Sequence, residues 1–103
     1  MVNRATDATL HLLLASPQRW RIDLQQLQQI WQPDDQLLLM TAAVQGWQAD
    51  SLHDFAQQRP VGIYQPDADL IGITAVLPTH LQSVSVALWA TWTLDFARCM
   101  TWR

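Results

Sequence analysis

One thiol and three imidazoles are the side chains of this sequence best suited to covalent or proton-transfer chemistry. Cys99 is the single cysteine, so the chain can form no internal disulfide and no cysteine-rich zinc site. A lone thiol can act as a nucleophile or carry a sulfane sulfur, and either task needs a thiolate close to a positive group or a helix N-terminus. Cys99 falls instead in helical phase with Trp92 and Phe96, late in a helix expected from residue 91 onward. The helix dipole opposes an anion there, so Cys99 reads as a small buried core residue, with a persulfide carrier as the competing role. His11 lies inside an apolar run and reads as a structural histidine bonded to backbone. His53 and His80 have no second ligand at useful spacing, so no metal is expected. Gly62 and Gly72 frame no phosphate-binding loop, and no paired carboxylates or serine-centred triad emerges. No cofactor is implied.

These residues must be held by a small scaffold. With 103 residues the chain reads as one domain over residues 1–103, burying roughly 60–70% of its unfolded surface. Its formal charge of −3 argues against a free-standing DNA binder, whose affinity comes from phosphate neutralisation. All basic side chains are Arg and all acidic ones Asp, with Gln filling exposed helical positions. Met1-Val2-Asn3-Arg4 leads straight into the first strand run, which is too short to span a bilayer; a cytoplasmic chain without leader or membrane span is expected. Six tryptophans are many for so small a core. Trp20, Trp31 and Trp92 fit core-facing positions. Trp47, Trp89 and Trp102 lie near breaks or strand ends and are the expected interface anchors, Trp102 above all.

Along the chain, residues 8–15 form a nearly continuous apolar run, predicted as a central strand ended by Ser16-Pro17. Asp23, with Gln26, is placed as the cap of a helix whose apolar face is Leu24, Leu27, Ile30 and Trp31. Residues 37–40 give a second strand after the turn at Pro33-Asp34-Asp35. Ser51 is placed to cap a short helix, residues 61–64 form a third strand, and residues 70–82 read as loop. Residues 84–88 are predicted as the fourth strand, before the last helix. Strands alternating with helices imply parallel βαβ units. The expected fold is α/β: a small flavodoxin-like three-layer domain, its mainly parallel sheet of four to five strands flanked by helices.

Leu10-His11 near the start of the first strand, Ser16-Pro17 at its end and a leucine-rich second strand opened by Asp35 together resemble the TusB/DsrH family of sulfur-relay proteins. The likeness continues through residues 61–64, Asp69-Leu70 and the near-terminal Trp102. It implies a DsrE/DsrF/DsrH-like (TusB-like) fold and a place in a heterohexamer with TusC-like and TusD-like subunits. Such a relay passes persulfide sulfur toward 2-thiolation of the tRNA wobble uridine, so tRNA would be met only indirectly; related complexes serve sulfur oxidation. Residues 24–29 hold no cysteine where some members have one, and Leu27 stands in its place. The role expected is therefore a non-catalytic structural subunit. The alternatives are a persulfide carrier using Cys99, or a homo-oligomeric α/β module binding a small ligand at the strand C-terminal ends.

Overall fold

The computed structural model describes residues 8–103; the reading of Met1-Val2-Asn3-Arg4 lies outside them. Five strands form one sheet in the order β4-β3-β2-β1-β5, and every neighbouring pair is parallel. They are β1 (Thr9–Leu13), β2 (Gln36–Leu39), β3 (Val61–Tyr64), β4 (Leu81–Val84) and β5 (Arg98–Trp102). The helices are α1 (Trp20–Ile30), α2 (Asp50–Ala56), α3 (Gln65–Leu70) and α4 (Val86–Asp95). The expected α/β class is therefore found, with all five strands parallel. The central strand is β2 rather than β1.

Chain order explains the layering. From β1 to β4 each strand is added on the same side of the last, and right-handed crossovers then put every connection on one face. Leu24 and Leu27 of α1, Leu52 and Phe55 of α2 and Ala68 of α3 accordingly share one core with Leu13, Leu37, Leu39 and Ile63. The chain then reverses direction across the sheet to reach β5, which carries α4 to the opposite face. Trp92 and Phe96 there pack with Leu10, Leu38 and Val84. Alternate residues of β1 and β2 thus serve two different cores, and for that reason both strands read as unbroken apolar runs.

The C-terminal third departs most from the sequence reading. Strand four is Leu81–Val84, within and just beyond the segment read as loop, and residues 86–88 are already helical. Ser85 is the reason: its hydroxyl accepts the Leu88 N–H at 3.1 Å and starts α4. That helix stops at Asp95 rather than running on through Cys99, and the chain turns into β5, with the Ala97 N–H donating to the Ala8 carbonyl at 3.1 Å. Without β5, β1 would be a bare sheet edge, and this pairing outweighs continuation of the helix.

Helix starts also differ. The first turn of α1 already begins at Trp20, so Asp23 lies inside it rather than at its cap. Trp20 is pulled in by its indole N–H, which donates to the Ala15 carbonyl at 2.9 Å. Helix α2 begins at Asp50 with Ala49 at the cap position, so Ser51 does not cap it. On α1, Leu24 and Leu27 are buried, Trp31 just beyond it is half-buried, and Ile30 is exposed.

Candidate functional site

Three places gather the residues that could do chemistry. The first is a buried polar cluster that runs from the amino ends of β1 and β2 to the middle of β1. Asp35, two residues before Leu37, is buried. One oxygen accepts the Thr9 N–H at 2.7 Å; the other accepts the Gln32 N–H at 3.0 Å and meets His11 Nε2 at 2.9 Å. The indole N–H of Trp102 donates to His11 Nδ1 at 3.2 Å. An indole N–H can only donate, so Nδ1 accepts and Nε2 carries the proton toward Asp35. The imidazole also stacks on Trp31, ring centres 5.3 Å apart and planes 22° apart.

Both ring nitrogens of His11 are thus engaged, and the ring is 1% exposed. The sequence reading paired this histidine with backbone; its partners are a carboxylate and an indole. Open parallel sheets bind ligands beyond the carboxyl ends of their strands; here Thr9 and Asp35 lie at the amino ends, His11 in mid-strand, and only Trp102 at a carboxyl end.

A second place does lie at the carboxyl ends. Thr41, two residues after the end of β2, has φ +53°, a conformation that is a true outlier for a β-branched residue. Its N–H donates to Asp67 at 2.8 Å, across to the start of α3. Thr41, Gln45, Asp67, Leu70 and Ile71 help line a shallow cleft of about 320 Å³ beside it. Nothing in the sequence marked Thr41, because no residue type announces a left-handed threonine.

The third place is Cys99. Far from being a buried helical residue, it is exposed near the start of β5, beside Leu10 of β1. Partial burial pushes its thiol above the usual cysteine range. A thiolate is therefore disfavoured at neutral pH, and this holds on a strand as it would have at a helix C-terminus.

The remaining histidines come together although they are distant in sequence. His53 and His80 touch edge to face with ring centres 4.5 Å apart, and His53 Nε2 lies 3.2 Å from the Trp47 carbonyl. Among the described residues, no group of three or more His, Cys, Asp or Glu side chains converges to hold a metal ion.

The three tryptophans placed at interfaces are all half-buried. Trp102 docks on His11 of its own chain, so its contact is internal on that side. Trp47 packs against the larger core. Trp89 tilts against Tyr64 at 5.8 Å, and its indole N–H is buried without an acceptor among the described residues.

No family model matches the chain, and no curated protein matches it. Among solved structures it is similar to the crystal structure of the ychN protein from E. coli, with a TM-score of 0.70 at 20% identity. The match covers 92% of this chain and 98% of that one. At that identity the likeness carries the fold alone, a parallel α/β sheet flanked by helices. Among the described residues, no helix is long and apolar enough to cross a membrane.

Proposed function

We propose that this chain is a non-catalytic structural subunit of a TusBCD-like sulfurtransferase assembly in the cytoplasm. The observation that carries the reading is the state of Cys99. A relay subunit that accepts sulfur needs a thiol that ionises readily. The one thiol of this chain stands on an edge strand with its ionisation made harder by partial desolvation. Within a sulfur-relay fold the persulfide would then sit on another subunit. The motif resemblance supplies the partners, TusC-like and TusD-like chains, and the end point, 2-thiolation of the tRNA wobble uridine. The half-buried Trp47 and Trp89 are the aromatic anchors such partners would cover.

The test is native mass spectrometry of the tagged chain purified from its source cells, joined to a tRNA thiolation assay. Two further small subunits should co-purify, and Cys99→Ser should leave 2-thiouridine levels unchanged. Recovery without foreign subunits, or loss of thiolation in Cys99→Ser, would overturn the proposal.

A further inference from the structure

We infer that His53 and His80 form a two-imidazole site for a divalent transition ion of the Cu²⁺ or Ni²⁺ kind. Spacing along the chain predicts no metal at either residue; folding supplies what spacing does not. His53 lies on α2 and His80 directly before β4, the edge of the sheet opposite β5 and its Cys99. Their rings meet there with centres 4.5 Å apart and planes 64° apart.

Backbone sets the tautomer of His53. The Trp47 carbonyl can only accept, so Nε2, at 3.2 Å, carries the proton and Nδ1 keeps its lone pair. Metal-bound imidazoles commonly have this arrangement, the second nitrogen donating to a carbonyl that fixes ring and tautomer. Neither Nδ1 of His53 nor the side chain of His80 has a hydrogen-bond partner among the described residues. Both lone pairs are therefore uncommitted.

The ring separation is that of two imidazoles on one ion. With metal–nitrogen bonds of about 2.0–2.1 Å, rings in adjacent positions of a square or octahedral ion have centres about 4.5 Å apart, against about 5.2 Å at the tetrahedral angle. The observed 4.5 Å fits the right angle, which Cu²⁺ and Ni²⁺ favour and structural Zn²⁺ does not. Rotation about the Cβ–Cγ bond is soft in histidine, and it swings a nitrogen toward the ion with little movement of the ring centre. His80 is exposed and can make that turn while His53 keeps its bond to Trp47. Water fills the remaining positions, so no third side chain is required. A bound ion ties α2 to the turn before an edge strand, and an ion held by the folded chain alone adds to its stability.

Calorimetric titration of the untagged chain with Ni²⁺ tests the site, in a Cys99→Ser background that removes the exposed thiol. His11 is 1% exposed with both nitrogens engaged, which leaves His53 and His80 as the histidines open to the ion. One equivalent should bind, and the thermal midpoint should rise with Ni²⁺. Loss of even an outer partner of a ligand costs roughly tenfold or more in affinity, so loss of a ligand should cost no less. His53→Gln and His80→Gln should each weaken binding by that factor and abolish the rise in midpoint. The exposed His80 can be replaced without disturbing the core. In the unsubstituted pair, paramagnetic Ni²⁺ should broaden the imidazole proton signals of both residues at the same ion concentration. Equal binding by parent and His80→Gln, as a lone surface imidazole would give, would overturn the inference. So would an unmoved midpoint, or broadening of one ring alone.

Discussion

The indole of Trp102, in the last strand, donates its N–H to Nδ1 of His11, in the first, and thereby fixes which nitrogen of the imidazole faces Asp35. The proton on Nε2 follows from that single donor. A ring held this way by an indole, a carboxylate and the stacked face of Trp31 is set in position and tautomer without any ligand. Trp102→Phe keeps the apolar packing and strands the Nδ1 acceptor. It should cost about 1–3 kcal/mol, read as a lower midpoint in urea unfolding. An unchanged midpoint would show that the bond contributes nothing.

Asp35 should be more sensitive still. Its carboxylate serves the Thr9 N–H, the Gln32 N–H and His11 together. Asp35→Ala leaves all three donors facing a gap and should destabilise the chain by about 3 kcal/mol or more, from the desolvation cost of each stranded donor. Asp35→Asn retains one acceptor oxygen and should cost less. If the two variants unfold alike, the network is not cooperative in the way its geometry indicates.

Gly46 and Gly72 should separate two reasons for glycine. A Cβ on Gly46 would lie 2.7 Å from Cζ3 of Trp20 and 2.9 Å from Cγ of Pro17, and Trp20 is anchored by its own hydrogen bond. Gly46→Ala should therefore cost about 1–3 kcal/mol through overpacking. Gly72 has open space around it but a φ of +73°, so Gly72→Ala should cost about 1 kcal/mol through backbone strain alone. Double substitution with Trp20→Phe should soften only the first.

Thr41 holds a left-handed conformation that glycine adopts freely. Thr41→Gly removes a strain of about 1–2 kcal/mol, set against greater freedom of the unfolded chain, so its stability should stay within about 1 kcal/mol of the parent. Asp67→Ala removes the acceptor of the Thr41 N–H and should destabilise. If Thr41→Gly proves the more damaging of the two, the conformation is not strained.

Alkylation by iodoacetamide should track the Cys99 thiol. Its ionisation lies above the usual range through desolvation, so at neutral pH the native chain should react more slowly than the urea-unfolded chain. The two rates should converge as pH rises past the folded value, where both states are thiolate. A native rate equal to or above the unfolded rate at pH 7 would reverse the assignment of Cys99 as unactivated.

The strands that face two cores were legible because a doubly buried strand must be apolar at every position; residues 8–15 and 37–40 show this. Periodicity misled where a half-buried element was short. Residues 84–88 alternate like a strand, yet Ser85 is a helix cap, and caps are settled by one hydroxyl that no period records. Trp92, Phe96 and Cys99 sit at helical spacing, but the open edge of β1 decides the fate of Cys99, and that edge is visible only in three dimensions. His53 beside His80, and Asp67 beneath Thr41, were equally out of reach, since each contact joins segments separated by more than twenty residues.

Strand order has a further consequence for how the chain is made. Thr9 and Arg98, which meet across β1 and β5, are separated by 89 positions. On a ribosome the segment through β4 emerges first and can assemble four strands, with β1 as a raw flank and the Nδ1 of His11 unmet. Closing so long a loop is entropically slow, and β5, made after the other four strands, makes the closure. Of the five strands of the sheet, the first to be made is thus the last to be sheltered, and a nascent chain stalled before residue 98 would present that flank to whatever waits at the exit tunnel.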